Sequence, residues 1–149
     1  MTTANPMQDF QRTIDYGVKA SEGGRMTLTA RLHDRFHDIE VEIVADIVTL
    51  EILASRIEFH RAPTAHCLDA ARKGAQLHGF VIGRGLSRKL TETFGGPEGC
   101  GNLRIMLAGL LPLAINLHAC AGLDDKESAL AAIHDRLLGT CAGYPRQGP

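Results

Sequence analysis

The order of two hydrophobic periods constrains the fold of this chain more than any other feature. Apolar and polar residues alternate up to about residue 60, and this period of two predicts β-strands. After Pro63 the apolar spacing changes to three and four residues, which predicts helices. Because strands come first and helices second, we expect an α+β fold: an antiparallel meander of about four strands followed by three to four helices packed on one face.

The strand region divides into four segments separated by turns. We predict strands over residues 12–20, 26–32, 39–43 and 50–59. In the last segment the apolar residues occupy even positions up to Ala54 and odd positions from Ile57. A change of parity inside a strand indicates a β-bulge, which we place near Ser55 and Arg56.

Four helical segments are predicted after the sheet. The first spans residues 64–78 with Thr64 as N-cap, and the second spans residues 86–94. The third, residues 103–117, is apolar on nearly every side, so we expect it to be buried in the middle of the domain and bent or divided at Pro112. The last begins at Asp124 and is expected to bury three apolar residues: Leu130, Ile133 and Leu137.

Length and composition indicate one small domain. We predict a loose N-terminal tail over residues 1–10 and a single α+β domain over residues 11–149. The chain has 16 basic and 17 acidic residues and a formal charge of −1, with no basic cluster, so nucleic acid is not expected as a partner. A homodimer that binds a small molecule is the expected assembly.

The sequence also favours a cytoplasmic protein that does not enter a membrane. Residues 103–117 are shorter than the roughly 20 residues a bilayer requires. The first residues lack a basic region followed by an apolar run, so no secretory signal is expected. The four cysteines are therefore predicted to be reduced thiols rather than a disulfide framework.

A glycine-dense loop at residues 95–102 is the predicted functional site. Four glycines fall within seven residues, which lets another group approach the backbone closely. Cys100 stands in or just before the first turn of the long apolar helix. Unpaired N–H groups and the helix dipole at such a position favour a thiolate or a bound anion.

Titratable residues cluster where the sheet gives way to the first helix. His60, Arg61, His66 and Cys67 lie between positions 60 and 67. Histidine exchanges protons near neutral pH and arginine binds carboxylates or phenolates, so this cluster can position and deprotonate a small organic molecule. The opposing interpretation is that Arg56, His60 and Arg61 are solvated charges at a strand end.

The cysteines allow three further interpretations. Cys67, Cys100 and Cys141 with His66 could bind zinc or iron, although no paired metal-binding motif is present. Cys100 could be a nucleophile with His66 or His60 as its base. Buried cysteines acting as small hydrophobic residues are the third interpretation.

Several short motifs occur in a fixed order along residues 12–144: Arg12-x-Ile14-x-x-Gly17, Glu22-Gly23, Leu32-x-Asp34, Arg61-x-Pro63-x-x-x-Cys67, Gly99-Cys100-x-x-Leu103 and Thr140-Cys141. Together they resemble an uncharacterised bacterial domain family of unknown function. The resemblance implies a small cytoplasmic protein of proteobacterial type, found beside catabolic enzymes for acyl or aromatic compounds. The family pattern Gly-Cys-Thr-His-Leu has a histidine where this chain has Asn102. Asparagine does not titrate, which argues against a metal or Cys–His site here.

The function predicted from these observations is a cofactor-independent lyase or isomerase of bacterial catabolism. It would act by acid–base chemistry on a small aromatic or acyl substrate, without a metal or cofactor. The proposed catalytic residues are His60, His66, Asn102 and Cys100, and the proposed substrate-binding residues are Arg56, Arg61, Gly99 and Gly101. The alternative is a non-catalytic metal- or thiol-based binding module, and a purely structural subunit is a third possibility.

Overall fold

A four-stranded antiparallel sheet forms the first half of the molecule. The computed structural model describes residues 8–146. The strands are β1 (Thr13–Ser21), β2 (Arg25–His33), β3 (Asp38–Asp46) and β4 (Ile52–Arg61), paired in the order β1-β2-β3-β4. The predicted meander is confirmed. Residues 1–7 of the predicted tail lie outside the described residues. Phe10, the last residue of that tail, stacks on Phe36 with ring centroids 5.9 Å apart.

One face of the sheet is apolar and the other is charged, as the alternation requires. On β2 and β3 eight residues of the apolar face are buried: Met26, Leu28, Ala30, Leu32, Ile39, Val41, Ile43 and Ala45. The opposite face carries Arg31, Glu40 and Arg56 in ion pairs. The helices cover only the apolar face, because that is where burial removes hydrocarbon from water.

The parity change in β4 is real, but the predicted bulge position is wrong. Val44 pairs with Ala54 and Ala45 pairs with Ile52, so Leu53 is the extra residue. A second irregularity lies at the end of the strand, where Asp38 pairs with Arg61 and Ile39 with Phe59, leaving His60 unpaired in register. Ala54 therefore points to the charged face, although its small apolar side chain is compatible with either face.

Helices make up the second half. They are α1 (Cys67–Arg72), α2 (Leu86–Phe94), α3 (Gly101–Leu110), α4 (Leu113–Ala119) and α5 (Lys126–Leu137), with a 3₁₀ turn Lys73–Leu77 after α1. The α+β arrangement of a meander followed by helices is confirmed. The helix α2 matches its prediction: it ends at Phe94, and Gly95 is its C-cap.

The first helix is shorter than predicted. It begins at Cys67 and not after Thr64, whose side chain does not cap it. After six residues it tightens into the 3₁₀ turn, where Ser55 Oγ donates to the Gly74 carbonyl over 3.0 Å. A Cβ at Gly74 would overlap the Ile57 side chain, so this turn lies directly against β4.

Pro112 divides the long apolar stretch into α3 and α4, which is one of the two predicted outcomes. The inner side of α3 is fully buried at Leu103, Met106 and Leu110, but Ile105 is 48% exposed. The prediction of a helix buried on nearly every side is therefore wrong, because the sheet covers only one side of it. By length and composition alone, Gly101–Ala119 could cross a membrane, although core helices of soluble proteins meet the same criterion.

The last helix differs from its prediction in both its start and its burial. Asp125, not Asp124, is the N-cap, and its side chain accepts a hydrogen bond of 2.7 Å from the Ser128 N–H. No residue of α5 is buried, and Leu130 is 55% exposed. The predicted burial is wrong for Leu130 and only partly met by Ile133 and Leu137, which are half-buried, because α5 packs on α4, which already occupies the sheet.

Candidate functional site

A cleft of about 590 Å³ separates α1 from the glycine loop. The α1 side contributes Thr64, His66, Cys67, Asp69, Ala70 and Lys73, and the loop side contributes Pro97, Glu98, Gly99 and Cys100. Two thiols, one imidazole, one ammonium and two carboxylates therefore line one space. We call this space the α1 cleft.

The glycine loop is shaped by a tight backbone approach at Gly99. The N–H of Cys100 donates to the Phe94 carbonyl over 2.9 Å, and the N–H of Gly99 donates to the Gly96 carbonyl over 3.1 Å. A Cβ at Gly99 would collide with the Phe94 carbonyl oxygen. Gly96 has a φ of 74°, a conformation that favours glycine. The loop needs both glycines to bring Cys100 to the cleft.

Cys100 is the N-cap residue of α3, as the sequence suggested. Its carbonyl accepts the first helical bond from the Arg104 N–H at 3.1 Å, while its thiol makes no capping hydrogen bond. Cys67 begins α1 and is also partly buried, with Sγ 3.9 Å from Thr64 Oγ1. Both thiols are therefore accessible from the α1 cleft.

The polar side chains of α1 lie at the rim of the cleft. His66 is the N-cap residue of α1 and its side chain is 94% exposed. Its Nδ1 lies 3.9 Å from Asp69 Oδ2, and Asp69 also pairs with Arg72 at 3.4 Å. The imidazole is thus next to a carboxylate at the rim of the cleft and is largely exposed to solvent.

Asn102 faces a buried network centred on Asp34. Asp34 Oδ1 lies 3.0 Å from His37 Nδ1, and Asn102 Nδ2 lies 3.2 Å from His37 Nε2. Because a carboxylate only accepts hydrogen bonds, His37 donates through Nδ1, and its Nε2 accepts from the Asn102 amide. The chain Asp34–His37–Asn102 therefore connects the turn between β2 and β3 to the start of α3.

Asp34 holds its negative charge inside the protein. Its side chain is fully buried, and Arg12 donates to Oδ2 over 2.9 and 2.8 Å. The backbone N–H groups of Phe36 and His37 donate to Oδ1, each over 2.8 Å. Burial raises the pKa of Asp34, but the hydrogen bonds from Phe36, Arg12 and His37 outweigh it and hold the pKa well below its usual value.

A family model described as Protein of unknown function (DUF2889) matches residues 10–116. The chain belongs to the DUF2889 family. The expected membership of an uncharacterised domain family is thereby confirmed. The match contains the whole sheet, the α1 cleft and the Asp34 network, whereas α5 lies beyond it. No curated protein and no solved structure matches the DUF2889 chain significantly.

Three of the predicted site residues line the α1 cleft of this DUF2889 protein: His66, Gly99 and Cys100. Gly101 is the first residue of α3 and has open space around its Cα. Arg61 lies outside the cleft, where its guanidinium donates to the Asp34 carbonyl over 2.6 Å. The structure therefore brings the glycine loop and α1 together and assigns Arg61 and Asn102 to contacts around Asp34 and His37.

Arg56 and His60 do not reach the cleft, contrary to the predicted convergence. Both point to the charged face of the sheet, opposite the helices. Arg56 pairs with Glu58 at 2.8 Å, and His60 Nε2 lies 2.9 Å from Glu40 Oε2. The hydrogen bond from His60 holds the pKa of Glu40 below its usual value. The physical reason is the strand parity, because even positions after the bulge at Leu53 point away from the helices.

The metal site that the cysteines could have formed, one of the interpretations left open by the sequence, is not among the groups of metal-binding residues that converge within residues 8–146. In that range only Glu40, Glu58 and His60 come close enough to supply three metal ligands, on the charged face of the sheet. Cys141 is exposed after α5, far along the chain from the cleft. Arg56 already pairs with both carboxylates of that group, so the group is part of a surface ion-pair network.

Sequence reasoning missed His37, Asp69, Lys73 and Glu98. The signal for His37 is local. Asp34 directly follows β2, and an aspartate in a turn often accepts from the backbone N–H three residues later, which places the His37 side chain beside the same carboxylate. Lys73, Asp69 and Glu98 carry no comparable local signal. Their convergence depends on how α1 packs beside the glycine loop.

Proposed function

We propose that this DUF2889 protein is a small cofactor-independent enzyme that moves protons on an anionic acyl or aromatic substrate in the α1 cleft. The observation that carries the proposal is the composition of that cleft. Groups that bind an anion and groups that exchange protons come from two segments separated by more than twenty residues and line one space of about 590 Å³. A lyase or isomerase reaction fits such a set.

Each group has a role that follows from its chemistry. The Lys73 ammonium would bind a carboxylate or phenolate of the substrate. His66, with Asp69 beside it, would remove or return a proton. The first N–H groups of α3, which lack helical partners, would stabilise negative charge that develops next to Cys100.

Asn102 and His37 take a supporting role in this proposal. The Asn102 amide is tied to His37 and not to the cleft, so it fixes the first turn of α3 rather than contacting the substrate. The buried carboxylate of Asp34 holds the ring of His37 in turn. This replaces the direct catalytic role predicted for Asn102 with a positioning role.

A cytoplasmic setting belongs to the same proposal. All four cysteines are free, which suits a reducing compartment. In an oxidising compartment the accessible thiols of Cys67 and Cys100 would be exposed to oxidation.

Carbon–hydrogen exchange tests the proposal for any lyase or isomerase reaction that begins with removal of a proton from carbon. The protein is incubated in D₂O with aromatic and short-chain acids and their thioesters, and deuterium incorporation is followed by mass spectrometry. We expect incorporation into at least one compound, with a rate about 100-fold lower for His66→Gln. His134→Gln, which alters a half-exposed histidine on α5, should exchange as the wild type does.

Lys73→Gln separates binding from chemistry in the same assay. Because Lys73 is proposed to bind the anion in both ground and transition states, its loss should raise KM more than it lowers kcat. Absence of exchange with every compound, or equal rates for His66→Gln and His134→Gln, would contradict the proposal.

A thiol-based binding module is the second candidate, favoured by the placement of Cys67 and Cys100 on opposite walls of one cleft. It predicts a ligand that contacts both thiols and no proton exchange. Elemental analysis with a thiol count before and after denaturation distinguishes the two. Stoichiometric metal that disappears in Cys67→Ser and Cys100→Ser, but not in Cys141→Ser, would support the module.

A further inference from the structure

The outer edge of the sheet at β1 is long and regular. Within residues 8–146 no strand pairs with that edge. The strand has nine residues, contains no proline and pairs with β2 without a register shift. Monomeric proteins usually interrupt such edges with a bulge, a proline or a cover, because the free N–H and C=O groups recruit another strand.

The apolar residues of β1 are incompletely covered. Ile14, Tyr16, Val18 and Ala20 share the helix face of the sheet, yet none of them is buried, whereas the equivalent positions of β2 are all buried. Tyr16 is 38% exposed and lies beside Ile105, which is 48% exposed on α3. An apolar margin therefore runs along the free edge.

Symmetry restricts how two copies could join at this edge. A two-fold axis perpendicular to the sheet makes the two β1 strands antiparallel and keeps both helix layers on the same face. Even-numbered residues must then stand opposite even-numbered residues, and odd-numbered opposite odd-numbered. Of these registers, only the one centred on Gly17 pairs all nine residues of Thr13–Ser21. It sets each Asp15 opposite Lys19 of the second copy.

Charge complementarity singles out the same register. Asp15 and Lys19 both lie on the charged face, and neither forms an ion pair within the described residues. Centring the pair on Asp15 or on Lys19 would instead set like charges opposite each other, which destabilises a strand pair. On the helix face the favoured register places Tyr16 opposite Val18.

We propose that β1 is a self-association surface and that its occupant is β1 of a second copy, giving a continuous eight-stranded sheet with two Asp15–Lys19 pairs. The α1 cleft lies against β4, at the other edge of the sheet. The two clefts of the dimer therefore stay open at its ends, and the interface is independent of the proposed chemistry.

Charge reversal tests the interface with the full chain. Analytical ultracentrifugation should show a wild-type dimer that dissociates at least tenfold more readily in Lys19→Glu and in Asp15→Lys, since each places like charges together. The double variant Asp15→Lys with Lys19→Asp restores opposite charges and should dimerise as the wild type does. Glu22→Lys, just beyond the strand, is the matched control and should have no effect.

Disulfide trapping tests the register itself. In a Cys141→Ser background, which removes the exposed thiol, Gly17→Cys should form a covalent dimer under mild oxidation. Asp15→Cys should not, because the two Asp15 residues would be four positions apart, or about 13 Å, too far for a disulfide. A wild-type monomer at all concentrations, a dimer insensitive to both charge reversals, or equal trapping of the two cysteine variants would overturn the proposal.

Discussion

Asp34 shows how one residue can connect three parts of a small protein. Its carboxylate accepts from the turn that follows β2, from Arg12 before β1 and from His37, which contacts α3 through Asn102. A buried carboxylate is costly unless its lone pairs are used, and here the donors come from two segments: Arg12 before β1, and the turn that contains Phe36 and His37. The charge therefore fixes the end of the sheet against the start of α3.

Replacing Asp34 by asparagine should lower the free energy of unfolding by about 3 kcal/mol. The amide keeps the shape and one acceptor, but it loses the charge that Arg12 and His37 bind. Urea denaturation at neutral pH measures the change. Asp69→Asn, which alters a carboxylate that is 67% exposed, should change stability by less than about 1 kcal/mol. Equal losses in the two variants would contradict this account.

In the wild-type protein, acid should remove the contribution that the Asp34 carboxylate makes to the free energy of unfolding. Because hydrogen bonds hold the pKa of folded Asp34 below its unfolded value of about 3.9, its contribution is complete above about pH 4. It is lost as the pH falls through the folded pKa. The stability difference between wild type and Asp34→Asn should therefore shrink below pH 4 in urea titrations. A difference that stays constant down to about pH 2 would show that the charge is not responsible.

At the scale of elements, two glycines of one loop should respond oppositely to alanine. Gly99→Ala places a methyl group against the Phe94 carbonyl and should destabilise the protein by about 2 kcal/mol. Gly101→Ala has open space in the first turn of α3 and should stabilise it by roughly 0.5 kcal/mol. Thermal unfolding of the two variants measures both effects. Similar losses for both would mean that glycine is needed throughout the loop.

The sheet was predictable because each strand is specified by its own alternation. The bulge was misplaced because Ala54 is small enough to suit either face, so only pairing with Val44 reveals that Leu53 is the extra residue. The prediction that α5 is buried failed for a different reason. An apolar stripe shows that a helix can pack, but whether it meets the sheet or another helix depends on the rest of the chain.

The candidate site was partly predictable. A glycine loop that leads into an apolar helix is a local pattern, and it correctly located Gly99 and Cys100 beside His66. Nearness in sequence misled the assignment of His60, because strand residues alternate between faces and His60 follows a bulge. Lys73 lines the site because of how the segment around α1 packs beside the glycine loop, and no local sequence pattern predicts that packing.

At the scale of the whole molecule, the core is complete without the last helix. Buried residues extend along the chain from Met26 to Ala114, and none lies in α5. The sheet is covered by α1, the 3₁₀ turn, α3 and α4, and α2 packs on α3. His118 ties α4 to the turn after β3 through a 2.8 Å bond to the Ile47 carbonyl. The family match likewise ends before α5.

A chain ending at Leu123 should therefore fold. Removing α5 uncovers part of α4 but no core residue, so we expect one cooperative thermal transition within about 5 °C of the full chain. A chain ending at Leu111 is the control. It lacks Ala114, which is fully buried, and the α4 residues Ile115 and Leu117 that pack on the core, so it should lose cooperative unfolding. Loss of cooperativity on removing α5 alone would show that this helix completes the core through contacts that burial does not reveal.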